Sequence, residues 1–147
     1  MLKGWNPGVT NWMDALDTLA VRQFAHVRTF LREHPTYNCF PDQTLVLAGQ
    51  GTNVATQIQA MRDGEPGKNN ASCVMAYISS SRAVTLDTRG IAARQLNVTW
   101  FNPTTGDSQI LREGMPNSGS FVLEKPPDDL DGVVVLAGLS GMVNKPN

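Results

Sequence analysis

Apolar residues recur every three to four positions through the first part of the chain, at Trp12, Leu16, Ala20, Phe24, Val27 and Leu31. This spacing puts them on one stripe of an α-helix of about 22 residues between Asn11 and His34. Asn11 is placed to cap the first turn. Asp14, three residues later, meets the free N–H groups and the helix dipole. Pro35 stops the helix. Leu19, Val21 and Phe30 broaden the apolar surface beyond one stripe, so the helix needs partners on more than one side. Pro41 and Asp42 then predict a short turn or helix start, and Gly49 and Gly51 break it. Val54 to Arg62 reads as a short helix capped by Thr52 or Asn53, and DGEPGKNN, from Asp63 to Asn70, reads as a loop.

Near residue 70 the period changes to two. CVMAYISS, AVTLDT, QLNVTWFN, SQILRE, SFVLEK and GVVVLAG are rich in β-branched and aromatic residues and are bounded by Gly, Pro, Asn, Asp or Ser. They predict an antiparallel sandwich or small barrel of six to seven strands. The expected fold class is therefore α+β, with a helical segment over residues 1–70 and a β-sandwich over 71–147. In the third run Leu96, Val98 and Trp100 alternate with Asn97, Thr99 and Phe101. Pro103 fixes φ in the loop that follows, and Gly106 is free to take φ > 0. This places Trp100 on the apolar face with Val98, as core, with a ligand platform as the other reading.

Charge changes the picture by exclusion. Twelve basic and thirteen acidic residues give a net charge of -1. No concentrated basic patch is available for nucleic acid or an anionic membrane. The longest apolar run near the C-terminus, Val133 to Ala137, is strand-sized rather than membrane-spanning. The opening MLKGWNPGVTNW lacks the apolar run of a signal peptide. Gly (13) and Pro (9) are numerous, in keeping with many turns.

Candidate chemistry is sparse. Cys39 and Cys73 are a possible disulfide or two separate buried thiols. His26 and His34 stand eight residues apart, not at the four-residue spacing of a zinc pair, and the cysteines form no CxxC, so neither metal nor cofactor is implied. Asp14 and Asp17 lie at i,i+3 on one helix side and are the weak candidates for a catalytic carboxylate pair; first-turn capping chemistry is the stronger reading. Trp5, Trp12, Tyr37 and Trp100 are the candidate aromatic platforms for a sugar, with Tyr77 and Phe101 nearby in type.

Three stretches, VMAYISSSRAVTLDT, VTWFNPTTGDS and GVVVLAG, together resemble a known domain. It is the collagen-binding-like, C-terminal β-sandwich domain found behind the barrel of DUF4038-type glycoside hydrolases. Tyr77, Thr85, Asp87, Trp100, Asn102, Pro103, Thr105 and Gly106 stand at the places of that pattern. Upstream, NWMDALDTLAVRQFAHVRTFLREHP and FPDQTLV resemble the last helix of the same proteins' (β/α)8 barrel and the segment leaving it. The chain departs from the pattern at Thr18 to Ala20, where the family carries Pro-Gly, and at Gly132-Val133, where it carries Asp-Trp.

The resemblance implies a non-catalytic accessory module that braces a hydrolase barrel or helps bind polysaccharide. The chain has no room for the earlier barrel strands, whose C-terminal ends carry the catalytic carboxylates, so a C-terminal fragment of a longer protein is expected. A glycosidase in its own right would need carboxylates such as Asp14 and Asp17 brought together across an oligomer. A purely structural interaction domain is the third reading. For the parent protein the resemblance implies secretion or a periplasmic home. The broad apolar face of the helix predicts a homo-oligomer, joined through that helix.

Overall fold

The period-2 runs become strands because one face of each sheet is buried against the other sheet. The computed structural model describes Met13 and residues 18–34, 36–127 and 131–139. One helix, α1 (Leu19–Glu33), precedes nine strands: β1 (Phe40–Pro41), β2 (Val46–Ala48), β3 (Gln59–Arg62), β4 (Cys73–Ile78), β5 (Val84–Asp87), β6 (Gln95–Phe101), β7 (Ser108–Pro116), β8 (Ser120–Leu123) and β9 (Gly132–Gly138). They form a six-stranded sheet in the order β1-β3-β4-β9-β6-β7 and a three-stranded sheet in the order β2-β5-β8. Every strand pairing is antiparallel. The fold is an α+β sandwich with a single described helix.

Side-chain alternation sorts the core into two layers. Val74, Ala76 and Ile78 of β4, Leu96, Val98 and Trp100 of β6, and Val134 and Leu136 of β9 point inward. They meet Val84 and Leu86 of β5 and Phe121 and Leu123 of β8. The opposite face of the large sheet carries Met75, Phe101 and Val135, and Phe30 of α1 covers them. This second layer explains why β4 and β9 read as nearly continuous apolar runs. They are central strands, buried on both sides.

Two expectations change. Val54 to Arg62 is not a helix. Asn53 caps a turn by accepting from the Thr56 N–H at 3.1 Å, and Gln59 to Arg62 then pairs with both β1 and β4. Pairing on two sides satisfies more backbone than one short helix would. Strands β1, β2 and β3 also carry the sandwich back to Phe40, so three stretches between residues 40 and 62, expected with the helical segment, lie in the sheets. Asp42 does start a short helix: it caps the 3-10 turn Gln43–Leu45 by accepting from the Thr44 N–H at 3.1 Å. The start of the expected long helix, with Asn11 as its cap, lies outside the described residues. No helix among the described residues is long and apolar enough to cross a membrane.

The corner after β6 anchors α1. Asn102 Oδ1 accepts from the N–H groups of Thr104 and Thr105, at 2.8 and 3.3 Å, and Gly106 closes the turn at φ 83. A Cβ at Gly106 would stand 2.8 Å from the His26 ring. His26 Nδ1 in turn lies 3.3 Å from the Pro103 carbonyl oxygen. The turn chemistry of Asn102 to Gly106 therefore serves helix docking.

Candidate functional site

Two concavities flank the six-stranded sheet. The first, about 420 Å³, runs between α1 and the outer face. Val27, Phe30 and Leu31 form its roof, and Met61, Met75 and Phe101 its floor. It is apolar because it continues the second core layer. Phe30 stacks on Phe101 with ring centroids 4.4 Å apart and also meets His34 at 4.8 Å. Burial of the His34 imidazole disfavours its charged form and holds its pKa below the usual value. Tyr77 stands at the edge of the groove and donates to Asp131 at 2.7 Å. Burial, then that hydrogen bond, push its phenol up to about 12.

The second concavity, about 620 Å³, lies at the β1–β3 end of the sandwich and is polar. Its wall is Arg62, which shares the inward face of β3 with Ala60 and is 5 % exposed. Nη2 donates to the carbonyls of Glu65 and Lys68 at 2.7 and 2.6 Å, which ties the 63–70 loop to the sheet. The guanidinium lies 5.4 Å from the Phe40 ring centroid. Asp42 Oδ2 stands 3.7 Å from Nε, within ionic range but too far for a hydrogen bond, and the buried Nε has no hydrogen-bond partner. Opposite are Asp87 and Arg89: Arg89 donates from its backbone N–H at 2.8 Å and from Nε at 3.0 Å to Asp87 Oδ1. Those hydrogen bonds keep the Asp87 carboxyl below the usual carboxylate range. A Cβ at Gly90 would collide with Arg62 Nη1, so glycine leaves the room the guanidinium occupies.

Of the aromatic residues singled out from the sequence, Tyr77 and Phe101 line the first concavity, and neither Tyr37 nor Trp100 lines either one. Trp5, Trp12, Asp14 and Asp17 lie outside the described residues. Tyr37 is 83 % exposed on the turn after α1. Trp100 is 1 % exposed between the sheets and turns no ring face to solvent, so it cannot serve as a platform here. Tyr77 points to the outer face with Met75, not into the sandwich. Among the described residues, no group of three His, Cys, Asp or Glu is placed to hold a metal.

Cys39 and Cys73 are both free. Cys39 precedes β1 and Cys73 opens β4, with β3 between them. Strands two places apart are separated by roughly 9–10 Å, beyond the ~7 Å Cα limit for a bridge. Burial, then the Asp63 carboxylate, then Cys39 push the Cys73 thiol up to about 12; burial and Asp63 also raise Cys39. At pH 8 the native protein should therefore react slowly with a thiol-specific disulfide reagent, Cys73 slowest, and both thiols should titrate at once in denaturant. Rapid labelling of Cys73 in the folded protein would contradict this geometry.

A helical reading of Val54 to Arg62 hides Arg62 and its pocket. As a strand, the same residues put Arg62 on the face of Ile58 and Ala60, and a buried arginine in that position points to a site.

Comparisons with known proteins agree with this architecture. The family model described as "Putative collagen-binding domain of a collagenase" matches residues 40–137. A solved structure named "Glycoside hydrolase" superposes with a TM-score of 0.74 at 20 % identity, covering 92 % of this chain and 31 % of that one. A glycoside hydrolase family 5 structure from Bacteroides vulgatus ATCC 8482 gives 0.71 at 18 %, covering 88 % of this chain and 26 % of that one. This chain thus spans about a third or less of the length of either. A comparison with curated proteins gave no match. The matched residues begin in β1 and run through β9, taking in both sheets, and the chain belongs to this collagen-binding-like domain family.

Proposed function

We propose that the chain is a non-catalytic accessory module of a carbohydrate-active enzyme of the DUF4038 type, bracing a hydrolase barrel and helping to hold polysaccharide. The observation that carries this reading is the fold shared over 92 % of the chain with about a third of a glycoside hydrolase. The open face of α1 supports the bracing role. Phe24 is 76 % exposed, and Leu19 and Leu31 are exposed beside it. Burying each such side chain is worth about 1.5–3 kcal/mol, enough to hold two domains together. A homodimer through α1 would use the same residues. A polysaccharide-holding module belongs with a secreted or periplasmic parent.

Carboxylate chemistry argues against turnover at the polar pocket. A glycosidase needs a general acid whose pKa is raised. Asp87 is instead held low by Arg89, which suits a hydrogen-bond acceptor rather than a proton donor, and Asp42 Oδ1 is taken up by Thr44.

The test has two arms. The isolated chain should leave aryl glycosides uncleaved, and it should be retarded in native gels cast with polysaccharide. Turnover abolished by Asp14→Asn or Asp17→Asn would replace this reading with a glycosidase assembled in an oligomer. Free migration through every polysaccharide gel would remove the holding role.

A further inference from the structure

We infer that the pocket walled by Arg62 at the β1–β3 end of the sandwich is a binding site for the hydroxyl groups of a neutral sugar. This rests on the accessory reading above and names the place where polysaccharide would be held.

Arg62 is the starting point. A buried donor left without a partner costs about 1–3 kcal/mol, and Nε of Arg62 is such a donor. The surrounding structure fixes the guanidinium there: two loop carbonyls hold Nη2, the Phe40 ring lies alongside, and Gly90 supplies the space for Nη1. A guanidinium so fixed loses little entropy on binding. Asp42 Oδ2, 3.7 Å away, is an acceptor that makes no full hydrogen bond to Nε. Nε itself is enclosed, so two adjacent sugar hydroxyls answer the Asp42 carboxylate and the Nη1 edge of the guanidinium. One donates to the Asp42 carboxylate, and its neighbour accepts from the guanidinium.

Charge selects a neutral sugar over an acidic one. Arg62, Lys68 and Arg89 line the pocket, but each faces a carboxylate: Asp42, Glu65 and Asp87 respectively. No net positive field remains to draw in a uronate. Phe40, Pro41 and Pro66 add apolar wall for the C–H face of a pyranose. The volume of about 620 Å³ lies within the ~300–1,000 Å³ range of small-molecule sites.

The test is an amide chemical-shift titration of the ¹⁵N-labelled chain. The probes are cello-, xylo- and manno-oligosaccharides, with oligogalacturonate as the acidic one. A neutral oligosaccharide should give saturable shifts over residues 42–44, 62, 66–69 and 87–90. Asn69→Trp, at an exposed lining position, should fill the pocket, and Asp42→Asn should remove the acceptor charge. Each should weaken binding by about tenfold or more. Tyr37→Ala should leave it unchanged. Saturable shifts that map to Tyr37 or the α1 groove would overturn this site while the accessory reading stands. Binding of oligogalacturonate alone would overturn the neutral class. Absence of saturable shifts with every probe would overturn the site and the sugar-holding role together.

Discussion

A Trp100→Ala variant is expected to lose about 3–5 kcal/mol of stability, which would leave much of the chain unfolded at physiological temperature. Trp100 is the largest of the fully buried side chains, and its ring lies over Gly132 of β9. A Cβ at Gly132 would collide with the ring, so the glycine and the tryptophan fit one another across paired strands. Removing the indole opens a cavity between the sheets that the surrounding β-branched residues cannot fill, because their rotamers are set by the strands. Trp100→Phe keeps most of the volume and should cost less. Urea unfolding followed by circular dichroism reads both variants. The result also decides what the WFNPTTGD corner is for. If Trp100→Phe kept its stability but lost polysaccharide retention, the residue would be acting on a ligand despite its burial. The expected outcome is a loss of stability with retention intact in the folded fraction.

The strands after residue 70 were legible because each has one face on the same inter-sheet core, which imposes a period of two that single residues cannot hide. All six runs become strands β4 to β9. The earlier strands were not legible. β1 and β2 are too short to show a period. Leading into β3, the spacing of Val54, Ile58 and Met61 imitates a helix, yet Ile58 is buried and Val54 is exposed. Long-range pairing to β4 decides that segment, and nothing local announces it. The polar pocket shared this fate. Its residues come from β1, β3, the 63–70 loop and the end of β5, which only the sheet order brings together. Asp42 was legible as a cap; its place opposite Arg62 was not.

The helix shows the same division at single-residue scale. Its existence follows from the apolar spacing, and Leu19–Glu33 bears it out. Its packing face does not follow. The spacing predicts a surface too broad for one partner without saying which side the sandwich covers; Phe30, beside the stripe through Phe24 and Leu31, is the one buried residue of the described helix. A sheet offers one shallow row of contacts. Here the row is Met75, Phe101 and Val135, and the helix is held at the rotation that His26 and the Asn102–Gly106 turn permit. The broad apolar surface is then shared between the sandwich and the open side.

Phe30→Ala should therefore separate helix from sandwich rather than unfold the molecule. The side chain is buried almost completely against the outer layer, and truncating it should cost up to about 3–5 kcal/mol of helix docking. The inter-sheet core contains no residue of α1 and should keep its own transition. Hydrogen exchange can resolve the two. Amides of Leu19–Glu33 should lose protection by orders of magnitude, while those of β4, β6 and β9 change little. An isolated helix of this length is marginal in water, so undocking should also lower the helical circular dichroism. A double-mutant cycle with Phe101→Ala isolates the stacked ring pair, expected to couple by about 0.5–1.5 kcal/mol beyond area burial. Loss of sandwich and helix protection in a single step would show that the outer layer is part of the folding core, and α1 could not then act as a separable brace. If the helix alone is lost, any barrel resting on Phe24 and Leu31 would be carried through the packing of Phe30 on Met75, Phe101 and Val135, with His26 at the Asn102–Gly106 turn as its second anchor, and the Phe30 packing is where bracing would fail first.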